Sequence, residues 1–188
     1  MNTNIRKLTI IALAVAVNIA GSKIALALSL PIFLDSIGTM LSAIVVGPVA
    51  GLATALVGGL VNGALGDIYS IYFAPSGMLM GLIAGLFFHN KKISKPSVIW
   101  RCALVTVPAS AVSALIETIL FDGITSAVVT TLIIQTLSKT SMKLFGSAFL
   151  TQAVTDYVDK FIAIVLVLVL VKRLPYELTH FESKKEVA

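Results

Sequence analysis

Long apolar runs, each closed by a short polar or Gly/Pro break, dominate the chain. After a polar start with Arg6 and Lys7, an apolar run covers 8–34 with Lys23 as its single charge. A helix needs ~20 apolar residues to cross a bilayer, so the run predicts a first span over 8–28. A cleaved signal peptide, with Ala20 and Gly21 near its cleavage site, is the competing reading; retention as a span is expected. No charge occurs between 36 and 66. Gly47-Pro48 divides that stretch, because Pro offers no backbone N–H and Gly beside Pro marks a turn. A short second span over 33–46 and a third over 49–65 follow. A fourth is predicted over 72–88, closed by His89-Asn90-Lys91-Lys92, and a fifth over 98–121. The Thr- and Ser-rich segment 122–143 reads as an outer loop with a short surface helix. A sixth span is predicted over 145–171, closed by Lys172-Arg173-Leu174-Pro175, before a polar tail over 176–188. The expectation is an all-α integral membrane protein, a six-transmembrane-helix bundle forming one domain over 1–175.

Composition agrees with this reading. Of 188 residues 57% are hydrophobic and 12% charged, and mean hydropathy is +1.00. Soluble domains are ~25% charged, so a soluble enzyme is excluded. A single cysteine, Cys102, and two histidines, His89 and His180, argue against a disulfide framework or a Cys/His metal centre. The net charge of +5 belongs to topology. With six spans, ten basic residues share the side of both termini: Arg6, Lys7, Lys91, Lys92, Lys95, Arg101, Lys172, Arg173, Lys184 and Lys185. Four (Lys23, Lys139, Lys143 and Lys160) lie on or toward the other. Cytoplasmic loops carry the Lys/Arg excess, so both termini are expected in the cytoplasm and no nucleic acid is expected as a partner. Merging the second and third spans would set Lys91-Lys92 opposite Arg6-Lys7. Acidic residues fall the other way, with Asp35, Asp67, Glu117, Asp122, Asp156 and Asp159 toward the outer side.

Polar groups within spans carry the candidate chemistry. Thr106, Ser110, Ser113 and Glu117 recur at helical spacing on the fifth span, and Gln152, Asp156, Asp159 and Lys160 on the sixth. Such groups cost a few kcal/mol in lipid unless they face water or each other. Two facing stripes imply a hydrated outer pocket; local pairing of Asp156 with Lys160 at i, i+4 is the plainer reading, and both can hold. Asn62 near the outer end of the third span, followed by Asp67, Tyr69 and Tyr72, adds an amide and phenol rings suited to a small polar ligand. Tyr72 serves equally as an interfacial anchor. Asn18 reads as interhelical glue, and Asp35 as the N-cap of the second span or part of a lid. The candidate ligand-binding residues are Asn62, Tyr69, Tyr72, Glu117, Gln152, Asp156 and Lys160. Ala12, Ala16 and Ala20 form a smooth strip on the first span, for internal packing or for a partner helix. Ala55-Gly59-Gly63 and Gly77-Gly81-Gly85 read mainly as internal packing. No Gly-x-x-x-x-Gly-Lys-Ser/Thr loop, nucleophile elbow or His-Glu-x-x-His helix occurs. No catalytic residue, cofactor or metal is expected.

Together with the span count, the alanine strip Ala12-x-x-x-Ala16-x-x-x-Ala20, the run Leu34-Asp35-Ser36-Ile37-Gly38-Thr39 and the run Gly47-Pro48-Val49-Ala50-Gly51 give the chain its likeness to a known family. It resembles the substrate-binding S components of energy-coupling factor vitamin transporters, over nearly its whole length. The resemblance implies a multi-pass protein of the bacterial plasma membrane and no enzyme activity. It implies tight binding of a vitamin or precursor in an outer pocket lined by the last three spans and their loops. An outer loop would close over that pocket. The alanine strip, Ala12 and Ala16 above all, would dock on a transmembrane coupling protein (the T component) bound to two cytoplasmic ATPases. The S component would carry its ligand inward by toppling in the membrane.

Only 7% of residues are aromatic, with a single Trp100. Thiamine and riboflavin call for stacking partners. The amides, hydroxyls, Tyr69 and the cations Lys139, Lys143 and Lys160 lean instead toward pantothenate, with pyridoxine or hydroxymethylpyrimidine next. The alternative from another class is an autonomous proton-coupled secondary transporter working through Glu117. No repeat between the two halves supports it.

Overall fold

The computed structural model describes residues 3–30, 32–140 and 142–173. The expected tail over 176–188 lies outside them. The described residues hold seven helices and no strand. They are α1 (Thr3–Ala27), α2 (Ile37–Val45), α3 (Pro48–Ala64), α4 (Ile68–Phe88), α5 (Lys95–Phe121), α6 (Val128–Ser138) and α7 (Leu144–Val171). By length and composition α1, α4 and α5 are long and apolar enough to cross a membrane. α7 is the longest at 28 residues, but Asp156, Asp159 and Lys160 interrupt its apolar run. α6 lies in the Thr-rich segment between α5 and α7.

Local chemistry sets the helix ends. Gly47, at φ 129°, turns the chain between α2 and α3, and Pro48 opens α3 where its missing N–H costs nothing. Ser94 and Ser97 form a reciprocal capping box at the start of α5. Asp122 at φ 48° and Gly123 at φ 79° end that helix in the left-handed region.

The nine-residue α2 is ~14 Å long, less than half the ~30 Å hydrocarbon thickness. Its start lies inside the bundle, and its cap differs from the sequence expectation. Asp35 does not cap it, and the N-cap residue Ser36 makes no side-chain cap bond. Asn18 of α1 does the work from a neighbouring helix. Its Oδ1 accepts from Gly38 N at 2.7 Å and Thr39 N at 3.4 Å, and its Nδ2 donates to Thr39 Oγ1 at 2.8 Å. One buried amide thereby satisfies helix-start donors that lie inside the bundle. Gly38 makes this possible, since any Cβ there would strike the Ala14 carbonyl of α1.

α3 and α4 meet backbone to backbone. A Cβ on Gly51 would lie 2.6 Å from Gly81 O, and one on Gly81 would lie 2.5 Å from Gly51 C. Gly77 faces Ala55 and Gly85 faces Pro48 in the same seam, so these small-residue strips serve internal packing. At one end of the bundle, Ile44, Phe88, Val98, Cys102, Ile164 and Val167 form the main apolar core. The basic residues Lys91, Lys92, Lys95, Arg101, Lys172 and Arg173 flank these helix ends. Arg101 donates to Phe87 O at 2.9 Å. At the opposite end Phe121 of α5 packs against Tyr69, Tyr72 and Phe73 of α4.

The burial pattern is that of a bundle dissolved in lipid. Wholly enclosed positions include Ser36, Ser42, Thr54, Ser110, Glu117, Ser147 and Asp159, whereas Leu8, Leu13, Leu60, Ile119, Val154 and Val169 point outward. Water would favour the reverse.

Asn18→Leu strands the Gly38 and Thr39 donors. It is expected to destabilise the fold by about 1–2 kcal/mol, read as a lower unfolding midpoint in detergent. Gly51→Val forces the α3–α4 seam apart and is expected to cost about 1–3 kcal/mol or more in the same assay.

Candidate functional site

Toward the end of the bundle away from the basic residues lies a cavity of about 130 Å³. Its wall draws on α1 (Ser22, Ala25), the α1–α2 loop (Ser29, Phe33, Asp35), α3 (Asn62), α4 (Tyr69, Phe73, Ser76), α5 (Ala109, Ser113), the α5–α6 loop (Thr125, Ser126) and α7 (Gln152, Asp156, Lys160). A smaller lobe continues inward past Asn18, Thr39 and Gly58, sharing Ser22, Asn62, Ser70 and Phe73 with the first.

Of the seven candidate ligand-binding residues, Asn62, Tyr69, Gln152, Asp156 and Lys160 line this cavity. Tyr72 and Glu117 do not. Tyr72 is 46% exposed and sets its ring edge-on to Phe121 at 5.3 Å, as an anchoring tyrosine would. Glu117 is fully enclosed behind the wall, where its Oε2 accepts from Gln152 Nε2 at 3.2 Å. It therefore reaches the cavity only by orienting Gln152.

The α7 wall is organised around Lys160. Its Nζ lies 2.7 Å from Asp159, 3.4 Å from Asp156 and 3.7 Å from Asp35. Asp156 also accepts from Ser110 Oγ at 2.7 Å, which joins the two polar stripes directly. Asp159 accepts from the backbone N–H of Leu34 at 3.2 Å and so pins the α1–α2 loop to α7. Leu34 is left-handed, at φ 52°, a conformation unusual for a branched residue and held here from both sides. Its N–H is fixed by Asp159, and its carbonyl lies where any Cβ on Gly21 would be. Asp35, expected as a helix cap, is instead the half-exposed third carboxylate around Lys160. Three acids surround one ammonium, so this wall is acidic.

On α4 and α5, Ser113 Oγ donates to Ser76 Oγ at 2.7 Å, and Ser76 donates to Ala109 O at 2.8 Å. Between α3 and α4, Asn62 Nδ2 donates to Ser70 Oγ at 2.7 Å and to Asp67 at 3.3 Å, and Ser70 donates to Asp67 at 2.7 Å. Phe33, Phe73, Ser76 and the Thr125-Ser126 loop were not among the sequence candidates. The signal that could have found Phe33 and Phe73 is their place in sequence, two residues before Asp35 and directly after Tyr72. Among the described residues no three His, Cys, Asp or Glu gather as metal ligands.

The alanine strip faces away from all of this. Ala14, Val15, Asn18, Ser22 and Ala25 form the buried face of α1, and Ala12, Ala16 and Ala20 lie exposed on another.

Apolar helices with their polar side chains turned inward and a polar cavity near one end are the architecture of a helical membrane bundle. The chain belongs to the ECF-type riboflavin transporter S component family, whose family model matches residues 2–175. It is thus a multi-pass membrane protein and the substrate-binding subunit of a vitamin transporter of the energy-coupling factor type. No curated protein and no solved structure matches it.

Removing the ammonium from the α7 wall leaves Asp156 and Asp159 buried without a counter-charge. Lys160→Met is expected to destabilise the protein by about 3–5 kcal/mol, whereas Asp35→Asn, at a half-exposed position, is expected to cost under about 1 kcal/mol. Unfolding midpoints of the two variants in one detergent check the difference.

Proposed function

We propose that the chain captures a ring-bearing, neutral or cationic water-soluble vitamin at the outer face of a bacterial plasma membrane and delivers it inward. In this reading both termini are cytoplasmic. α1, α3, α4, α5 and α7 cross the membrane, with α2 completing a sixth, shorter crossing. The excess of Lys and Arg at the bundle end away from the cavity supports that orientation. Energy comes from a transmembrane coupling protein and two cytoplasmic ATPases, and the exposed Ala12, Ala16 and Ala20 form the surface that meets the coupling protein. Small side chains allow the close helix contact that lipid-embedded association requires.

The carrying observation for the ligand is the composition of the cavity wall. Phe33, Tyr69 and Phe73 offer aromatic faces, and Asp35, Asp67 and Asp156 outnumber Lys160. Pantothenate is favoured in the sequence by few aromatics, by amides and hydroxyls, and by Lys139, Lys143 and Lys160 as possible cations. Lys160 is instead held by three carboxylates, and Lys139 and Lys143 are exposed and away from the cavity wall. An anionic vitamin would meet repulsion there, whereas a flat ring with hydroxyl or N–H donors meets stacking surfaces and acceptors. Riboflavin, which the family's name carries, fits this description, as do pyridoxine and hydroxymethylpyrimidine. Asn62, Tyr69, Gln152, Asp156 and Lys160 contact or frame the ligand, with Glu117 positioning Gln152.

Native mass spectrometry or calorimetry against riboflavin, pyridoxine, hydroxymethylpyrimidine and pantothenate tests the reading. A ring vitamin is expected to bind and pantothenate to fail; pantothenate as the tightest ligand overturns the ligand class, and no binding at all overturns capture. Ala16→Trp is expected to abolish uptake by the reconstituted transporter while leaving vitamin affinity unchanged. Full uptake by that variant would remove the strip from the docking surface.

A further inference from the structure

We propose that Asn62, Asp67 and Ser70 form an acceptor-only subsite that takes the cationic or N–H-rich end of the captured vitamin. The proposal rests on the vitamin-capture reading and narrows it. Hydrogen-bond direction carries the argument. Ser70 gives its single hydroxyl proton to Asp67 Oδ2, and Asn62 gives its amide N–H groups to Ser70 and Asp67. Every side-chain donor of the group is thus turned inward on the group. What remains for the cavity is acceptors: the Asp67 carboxylate and Asn62 Oδ1. Asn62 is 5% exposed and lines both lobes, and its Oδ1 is enclosed without a hydrogen-bond partner. Buried acceptors are ordinarily satisfied, and a ligand N–H or ammonium in the adjoining cavity would complete this one.

Two plainer roles for Asp67 fail. It occupies the N-cap position of α4, but its carboxylate makes no capping bond to that helix. Nor does it balance a cation: the ion pairs among the described residues all belong to Lys160. The partial positive charge at the start of α4, roughly half a unit, is smaller than the full carboxylate charge beside it. Tyr69 and Phe73 flank the subsite on α4. A ligand ring against them would bring an aminomethyl, hydroxymethyl or ring N–H group toward Asn62 and Asp67.

Three compounds sharing one pyridine ring test this: pyridoxamine with an ammonium, pyridoxine with a hydroxyl and 4-pyridoxate with a carboxylate. Binding is measured by calorimetry on the full chain in nanodiscs, with riboflavin in the same series. The wild type is expected to prefer pyridoxamine to 4-pyridoxate by about tenfold or more, with pyridoxine between, as a charge-assisted hydrogen bond predicts. Asp67→Asn, nearly isosteric, is expected to collapse that preference, and Asn62→Leu to weaken pyridoxamine and pyridoxine together. Should Asp67→Asn fail to fold, Asn62→Leu decides, because the acidic α7 wall alone would also give the wild-type order: unchanged pyridoxamine and pyridoxine affinity in that variant overturns the subsite. Equal or tighter binding of 4-pyridoxate, an order unchanged by Asp67→Asn, or no binding by any of the three overturns the subsite. Riboflavin binding in that last case leaves vitamin capture standing, and its absence removes both.

Discussion

A buried ammonium in a lipid-soluble bundle must find counter-charges within the protein, because neither hydrocarbon nor bulk water supplies them. Lys160 finds three: Asp159 and Asp156 on its own helix and Asp35 from the α1–α2 loop. That requirement fixes the rotation of α7. With Lys160 and Asp156 turned inward, Gln152 one turn earlier faces the same cavity. Meanwhile Asp159 takes the Leu34 N–H and holds the loop that carries Phe33 across the cavity wall. The ion cluster therefore shapes the cavity wall.

The same economy of polar groups runs through the rest of the interior. Asn18 serves the start of α2, Ser76 and Ser113 tie α4 to α5, and Ser110 ties α5 to α7. Where helices have no polar partner they rely on contact alone, as Gly51 and Gly81 do at the α3–α4 crossing. These are the two devices available when apolar burial gives no preference between a neighbouring helix and lipid. Their distribution separates the molecule into a glycine-welded α3–α4 pair and polar seams around the cavity.

Much of this was legible in the sequence because helical spacing is local. The stripes Thr106-Ser110-Ser113 and Gln152-Asp156-Lys160 face inward as their periodicity requires, the Gly47-Pro48 break falls between two helices, and the alanines at 12, 16 and 20 share an outward face. What escaped was long-range. Asp35 sits beside Ser36 in sequence and reads as a cap, but the cap comes from Asn18 and Asp35 turns to Lys160, 125 positions away. No periodicity encodes such a pairing. Glu117 shows a subtler limit. It continues the Thr106–Ser113 stripe, yet one further turn takes it past the cavity wall to the back of Gln152. A stripe identifies an inward face, and depth along the helix decides whether that face meets the cavity or a neighbouring side chain.

α1 joins the two halves of the problem. Its buried face holds Asn18 and Ser22, of which the first fixes α2 and the second lines the cavity; its exposed face carries Ala12, Ala16 and Ala20. Ala14 lies so close to Gly38 that no side chain fits between α1 and α2, and Gly21 is as close to Leu34. A rigid helix clamped at two such points cannot shift on its outer face and leave its inner face behind. Any partner that displaces α1 through the alanine strip must also move the start of α2 and the loop bearing Leu34 and Asp35. Those are the elements that close one side of the cavity and complete the charge cluster around Lys160. Cavity wall and outward strip are thus mechanically one unit, although no residue belongs to both.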